Sequence, residues 1–69
     1  MKIKFSERLQ ELRKEKGLTQ LELANILNTT QRRVSYLESG KIEPDLAVLV
    51  AIATYFEVSC DFLVGIKDY

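Results

Sequence analysis

The stretch LTQLELANILNTTQRRVSYLESG, residues 18–40, decides the fold of this chain. It holds two short segments whose apolar residues recur at helical spacing, separated by the polar break Asn28-Thr29-Thr30. Before the break, Thr19 and Glu22 have the spacing of a capping box, in which the first residues of a helix bond one another. After the break, the second segment ends at Gly40, a residue type common just past a helix. The stretch therefore predicts two short helices joined by a tight turn.

Helical spacing of apolar residues continues on both sides of this stretch, and no strand-like alternation is long enough to compete with it. The predicted fold class is all-α with five helices. We expect one domain over residues 1–69, with the helix-turn-helix at about 19–39. The second helix of this stretch is expected to begin at Thr30 and end at Gly40. The residues expected to begin and to end the three helices outside it are Ser6 with Gly17, Asp45 with Phe56, and Ser59 with Gly65.

The fourth predicted helix, from about residue 46 to 56, is the most apolar of the five. Its apolar side chains are spaced so that they cover most of the helix circumference. They are Leu46, Leu49, Val50, Ile52, Ala53 and Phe56. We therefore expect this helix to be the central helix of the core.

The composition is that of an ordinary globular domain. Of the 69 residues, 46 % are apolar and 29 % are charged, which excludes a disordered chain. No apolar run approaches the roughly 20 residues that cross a bilayer, and no apolar signal region follows the N-terminus, so we expect a cytoplasmic protein. The single cysteine, Cys60, excludes an intrachain disulfide. With no histidine present, we expect neither a zinc site nor another cofactor.

The charges are unevenly distributed along the chain although they cancel in total. Residues 1–41 carry nine basic and five acidic side chains, a net charge of +4, and residues 42–69 carry one basic and five acidic, a net charge of −4. A neutral total counts against nucleic-acid binding, for which a basic domain is the usual footprint. The asymmetry nevertheless makes the first part of the chain suited to a polyanion.

The outer face of the third predicted helix carries side chains suited to DNA. Val34 and Leu37 define its buried direction, and at about 100° per residue Arg32 points most nearly opposite. Arginine and glutamine bond base edges in the major groove, which admits an α-helix. The residues expected to read bases are Gln31, Arg32, Ser35 and Tyr36, and those expected to contact phosphates are Thr19, Gln20, Thr30, Arg33 and Lys41. The alternative is that this polar face is only solvated.

Five motifs give the chain a specific resemblance to a known family. They read L-T-Q-x-E-L-A at 18–24, T-T-Q at 29–31, V-S-Y-L-E-S-G-K at 34–41, P-D-L at 44–46 and V-S-x-D-x-L-V-G at 58–65. Over residues 5–65 the chain resembles the Cro/CI-type helix-turn-helix regulators, also called xenobiotic-response-element-like, which include the lambdoid phage repressors. The resemblance implies a lambda-repressor-like fold of five helices. The DNA contacts that it implies are at Gln20, Thr30, Gln31, Arg32 and Arg33.

The resemblance also implies an ion pair between the first and third helices, at Arg13 and Glu38. The alternative for these two residues is a pair of unrelated surface charges. Asn28 departs from the family pattern, because a turn glycine is usual there, but asparagine also adopts left-handed backbone and the turn is expected to be preserved. Leu21 and Ile26 are apolar where many relatives are polar, and nothing in the sequence explains them.

The C-terminal end carries apolar residues that suggest self-association. A domain this small buries roughly 600–1,000 Å² on DNA, which is little for tight selective binding by one copy. Phe62 and Ile66 are four residues apart and lie off the inward-facing Leu63, and Tyr69 follows them. We expect these three residues to form a two-fold homodimer on a pseudo-palindromic site. The alternative is a C-terminal tail that folds back over its own core.

Three classes of function compete. The leading hypothesis is a sequence-specific, double-stranded DNA-binding transcriptional regulator, most simply a repressor. The second is a protein-interaction module such as an antitoxin or an anti-regulator partner. It is favoured by the neutral net charge and by four apolar residues, Leu21, Ile26, Phe62 and Ile66. An enzyme is the weakest hypothesis, because the chain has no histidine and no phosphate-binding glycine loop, and its acidic residues are scattered.

Overall fold

The computed structural model describes residues 3–68 and contains five helices, as the sequence predicts. The helices are α1 (Phe5–Glu15), α2 (Gln20–Ile26), α3 (Gln31–Ser39), α4 (Leu46–Phe56) and α5 (Cys60–Val64). No strand occurs in this part of the chain, so the all-α fold class is confirmed. Across residues 3–68, none of these helices has the length and apolar character needed to span a membrane.

Local hydrogen bonds begin four of the helices as predicted. The capping box of α2 is complete, because Thr19 Oγ1 accepts from the Glu22 N–H at 3.1 Å and Glu22 Oε1 accepts from the Thr19 N–H at 2.9 Å. At the starts of α3, α4 and α5, a side-chain oxygen accepts the N–H three residues further on. The three capping residues are Thr30, Asp45 and Ser59.

The prediction that Ser6 caps α1 is wrong. The helix begins one residue earlier, at Phe5, and Lys4 occupies the cap position without a side-chain hydrogen bond. The Lys4 N–H instead donates to the carbonyl of Val64 at 3.1 Å, which ties the start of α1 to the end of α5. A tertiary contact therefore positions this helix start, and the buried Phe5 ring adds to it.

Two turns depend on left-handed backbone. Asn28, in the turn between α2 and α3, has a φ of 56°, so the asparagine does adopt the conformation expected of a turn glycine. Gly65, at the end of α5, has a φ of 94°, and a Cβ there would lie 3.0 Å from the Lys4 side chain. Both the backbone angle and the close approach of the first residues of the chain therefore favour glycine at position 65.

The core is built around α3, which packs against both α1 and α2. The buried apolar residues are Phe5, Leu9, Leu23, Ala24, Val34, Leu37, Ile52, Ala53, Phe56 and Leu63. The prediction that α4 is the central helix is wrong. Leu46 is 79 % exposed and Val50 is 55 % exposed, so only the side of α4 that carries Ile52, Ala53 and Phe56 is buried in the core.

Candidate nucleic-acid interface

The helix pair α2–α3 is held rigidly by its own buried residues. Leu23 and Ala24 of α2 and Val34 and Leu37 of α3 are fully buried. In the turn, the Thr29 N–H donates to the Ala24 carbonyl at 2.9 Å, which closes the end of α2 before α3 begins. The orientation of α3 relative to α2 is therefore determined by packing and by backbone hydrogen bonds.

The outer face of α3 presents Gln31 and Arg32 side by side, and both are exposed. Neither side chain forms a hydrogen bond or an ion pair with any residue in the range 3–68. Ser35 and Tyr36, also expected to read bases, are half-buried on the same helix. The four predicted base-reading residues therefore share one helix, but only two of them are fully open to a ligand.

Lys41 lies next to Tyr36 just beyond the C-terminus of α3. Its Nζ sits 4.6 Å from the centre of the Tyr36 ring, a cation–π contact. The Lys41 N–H donates to the Tyr36 carbonyl at 2.9 Å, so the backbone holds the lysine at this end of the helix. The contact places a positive charge at the C-terminal end of the outer face of α3.

A buried ion pair joins α1 to α3. Arg13 bonds both carboxylate oxygens of Glu38, at 2.6 Å from Nε to Oε2 and at 3.0 Å from the second nitrogen to Oε1. The Glu38 side chain is 2 % exposed and that of Arg13 is 12 % exposed. Arg13 also donates to the Leu18 carbonyl at 2.7 Å. The alternative of two unrelated surface charges does not hold, and the paired geometry compensates the burial of both charges.

Gln20 is bonded inside the protein. Its side-chain amide donates to Glu38 Oε1 at 3.2 Å, so the residue connects α2 to the buried ion pair. The sequence assigned Gln20 to a phosphate and did not predict this contact. Thr19, assigned to phosphates as well, is exposed at the start of α2, where its side chain and N–H complete the capping box.

Glu22 places a negative charge at the N-terminus of α2. Two hydrogen bonds hold the pKa of this carboxyl below its ordinary value. The bond from the Thr19 N–H has the larger effect, and the bond from the Thr19 side chain has the smaller one. An ionised carboxylate at this end of a helix interacts favourably with the helix dipole. It also offsets part of the attraction that the free N–H groups of α2 exert on an anion.

Arg33 turns from α3 toward the start of α4. One of its terminal nitrogens lies 3.3 Å from Asp45 Oδ2, and both side chains are partly accessible. Arg33 Nε is buried and has no hydrogen-bond partner among residues 3–68. The sequence predicted Asp45 only as a helix cap, and no local pattern signals its second contact, because the two residues are twelve positions apart.

The C-terminal residues are held against α1 by Arg8. Its guanidinium stacks on the Phe62 ring at 4.2 Å, donates to the carbonyls of Phe62 and Lys67 at 2.7 and 2.8 Å, and lies 3.3 Å from Asp68 Oδ1. Phe62 is therefore partly covered, whereas Ile66 is 58 % exposed. The third residue predicted for a dimer contact, Tyr69, lies outside the described residues.

Further apolar side chains are exposed on α4 and at the start of the chain. Leu46 and Val50 are one turn apart on α4, next to Leu49, and Ile3 is also exposed. Leu49 and Ile3 both line an open cavity of about 440 Å³ between α1, α4 and the segment that follows α3. Among residues 3–68, no group of three potential ligands lies close enough together to hold a metal ion.

Comparison with known protein families identifies a match over most of the chain. The family model described as helix-turn-helix matches residues 9–63. A prophage-derived uncharacterized HTH-type transcriptional regulator of Bacillus subtilis, YonR, is 41 % identical over 59 residues, which are 86 % of this chain and 55 % of that protein. The HTH-type transcriptional activator BcrR of Enterococcus faecalis is 40 % identical over 63 residues, 91 % of this chain and 31 % of that protein. The chain thus spans about half, or less, of these relatives.

Solved structures share the fold. A transcriptional regulator from Listeria innocua superposes with a TM-score of 0.90 at 43 % identity, over 94 % of this chain and 61 % of that one. The P22 c2 repressor, solved in complex with a synthetic operator, superposes with a TM-score of 0.84 over 91 % of this chain and 96 % of that one. At 24 % identity, the second likeness establishes the fold alone.

Proposed function

The chain belongs to the helix-turn-helix family, in agreement with the Cro/CI-type resemblance of its motifs, and from this premise we propose that it is a transcriptional regulator that binds a specific sequence in double-stranded DNA. In this proposal α3 enters the major groove and α2 lies across the backbone. The relatives that match most of the chain are transcriptional regulators.

One observation carries the proposal: Gln31 and Arg32 are exposed together on a helix whose other side is locked into the core. A side chain without an internal partner is free to bond a base edge, and arginine and glutamine each present two hydrogen-bonding groups at the spacing of guanine and adenine edges. Ser35 and Tyr36 extend the same face toward neighbouring bases or the sugar-phosphate backbone.

The remaining polar residues around α2 and α3 are proposed to position the protein on the phosphates. Lys41 and Arg33 supply charge, and Thr19 and Thr30 lie at the N-termini of α2 and α3, where free N–H groups attract anions. Gln20 contributes to positioning by keeping α2 attached to the buried Arg13–Glu38 pair. Gln20 thus supports the position of α2 through Glu38, because in the free protein its side chain is bonded internally.

We propose repression by occupation of a promoter, in the cytoplasm, without a catalytic step or a cofactor. The relatives that match the chain are transcriptional regulators, and three of its acidic residues, Glu22, Glu38 and Asp45, serve as helix caps or ion-pair partners. We also propose that residues 1–69 form a single domain.

A homodimer is the proposed binding form. Ile66 is exposed, and Leu46 and Val50 on α4 add exposed apolar surface that the sequence did not predict, whereas Phe62 is partly covered by Arg8. A two-fold pair would present two copies of α3 about 34 Å apart to a pseudo-palindromic site. The tail fold-back alternative also has support, because Arg8 holds Lys67 and Asp68 against α1.

Protein interaction is the second candidate function. Leu21 and Ile26 are 54 % and 41 % exposed on α2, which supports a role in contacting another protein. Salt dependence distinguishes the two candidates, because binding to DNA releases counterions and weakens steeply as salt rises. A protein interface built on two apolar side chains is expected to change little over the same range.

Selection from a pool of random duplexes tests the leading proposal. We expect repeated rounds at moderate salt to enrich one short, approximately palindromic sequence. The enriched duplex and a scrambled duplex of equal length and composition are then compared by fluorescence anisotropy over a salt series. Failure to enrich any sequence, or equal affinity for both duplexes, would refute sequence-specific binding.

A further inference from the structure

The Asp45 carboxylate makes two hydrogen bonds, one to the backbone and one to a side chain, and the two constrain it to different degrees. Its Oδ1 accepts the Val48 N–H at 2.8 Å and so caps α4, while its Oδ2 lies 3.3 Å from a terminal nitrogen of Arg33. The cap bond belongs to a regular helix start and immobilises the carboxylate. Arg33 is therefore the movable partner of this pair.

The contact between Arg33 and Asp45 is a weak form of the interaction between guanidinium and carboxylate. The strong form uses two parallel hydrogen bonds near 2.8 Å, whereas here one longer bond is made and the buried Arg33 Nε bonds nothing in the range 3–68. The side chains are 40 % and 61 % exposed, so water competes for the same groups. Once the Arg33 side chain has moved so that its Nε is accessible, an anion with several oxygens can bond both Nε and a terminal nitrogen, which Asp45 does not do.

We propose that Asp45 is an intramolecular stand-in for a DNA phosphate, and that Arg33 exchanges this carboxylate for the DNA backbone when α3 enters the major groove. The inference rests on the DNA binding proposed above. Asp45 then lowers the affinity of the protein for DNA of any sequence. The Arg33–Asp45 pair must separate when each complex forms, and a carboxylate then remains near the phosphates.

The exchange also suits the charge distribution of the chain. Arg33 belongs to the part with a net charge of +4 and Asp45 to the part with −4, and the pair lies where the two parts meet beside α3. In the free protein, the carboxylate neutralises an arginine that would otherwise attract any polyanion. Asp45 therefore acts as a positioning residue for Arg33 and limits non-specific binding.

The decisive variant is Asp45→Asn, because asparagine also caps helices and keeps the oxygen that bonds Val48. The matched control is Glu57→Gln, which removes one negative charge at the other end of α4, roughly 18 Å along the helix axis. Both variants are compared with wild type by anisotropy on the selected duplex and on its scrambled counterpart. Circular dichroism and urea unfolding verify that each variant is folded.

We expect Asp45→Asn to bind both duplexes roughly twofold to fivefold more tightly than wild type, the size of effect expected when one exposed ion pair is removed. Glu57→Gln is expected to match wild type. In an Arg33→Gln background, Asp45→Asn should bring a clearly smaller gain, because no ion pair has to be separated and only the repulsion between the carboxylate and the phosphates is relieved.

Three outcomes overturn the inference. Wild-type affinity in Asp45→Asn shows that the carboxylate does not compete with DNA. An equal gain in the Arg33→Gln background shows that Asp45 acts by its charge alone and not through Arg33. An absence of duplex binding by the wild type removes the proposed function and this inference together, whereas the first two outcomes leave the proposed function intact.

Discussion

At the scale of single residues, charged side chains of the same type have different roles because their surroundings differ. Arg13 is almost fully buried and bonds both oxygens of Glu38, Arg33 shares one long bond with an exposed carboxylate, and Arg32 bonds nothing among residues 3–68. The first stabilises the fold, and the last is free for a ligand. The bonding partner and the burial of each side chain therefore distinguish the roles of these three arginines. Residue type alone does not distinguish them.

Replacing Arg32 with alanine tests its role in reading bases. We expect the variant to lose about 1–3 kcal/mol of binding free energy on the selected duplex and to relax the preference at a single base position. The matched variant Lys41→Gln should weaken binding to all sequences similarly and reduce the salt slope by about 1. Binding-site selection and salt titration measure both effects. An unchanged base preference in Arg32→Ala would contradict the assignment.

Replacing Glu38 with alanine tests the buried ion pair. The change leaves Arg13 charged and nearly buried without its partner, and we expect it to lower the free energy of unfolding by about 3–5 kcal/mol. The control is Arg33→Gln, which removes an exposed pair and should cost less than about 1 kcal/mol. Urea unfolding followed by circular dichroism measures both. Equal losses in the two variants would show that burial does not distinguish the pairs.

At the scale of secondary structure, side-chain caps position four of the five helix starts. The oxygens of Thr19, Thr30, Asp45 and Ser59 each accept a hydrogen bond from the N–H three residues later. Such bonds involve near neighbours in the chain, so the sequence alone predicts them. The start of α1 was mispredicted because the Lys4 N–H bonds the distant Val64 carbonyl, and no local pattern encodes that contact.

The pH dependence of stability tests the capping box of α2. The pKa of Glu22 is lowered in the folded chain, so its contribution to stability is complete above the unfolded value near 4.5 and is lost as the pH falls through the folded value. We expect Glu22→Gln to remove this part of the acid dependence, since glutamine retains the hydrogen bond but does not titrate. Thermal unfolding from pH 7 to pH 3 compares the variant with wild type. Parallel curves would show that Glu22 does not contribute to acid unfolding.

At the scale of the whole molecule, the position of an exposed apolar residue determines whether it can take part in a homodimer that also binds DNA. Leu46, Val50 and Ile66 lie on α4 and after α5, whereas Leu21 and Ile26 lie on α2, beside the proposed DNA-binding surface. A second copy that covered the α2 residues would compete with DNA. We therefore expect a homodimer that is compatible with DNA binding to use exposed apolar residues outside α2.

Matched surface variants test this choice of dimer surface. Val50 and Leu21 are almost equally exposed, at 55 % and 54 %, but lie on different helices. We expect Val50→Glu to shift the protein toward monomer and Leu21→Glu to leave self-association unchanged, because only the first places a charge in the apolar contact. Sedimentation velocity over a concentration series measures the mass of each. A wild type that remains monomeric at the highest concentration would contradict a solution dimer.

By itself the sequence determined the five helices, most of their caps, the left-handed Asn28 and the outward direction of Arg32. These depend on residues within one or two helical turns, where spacing and side-chain chemistry suffice. The family membership followed from the same motifs. Local patterns of this kind can be recognised without knowing how the helices pack.

Only the tertiary structure decided which long-range contacts those residues make. It exposed Leu46 and Val50 because only one side of α4 is buried in the core, and it turned Gln20 inward to Glu38. It also brought Asp45 to Arg33 and Arg8 to Phe62. The physical reason is that apolar spacing shows that a helix face is suited to burial, whereas the packing of the whole chain decides which of those faces find a partner.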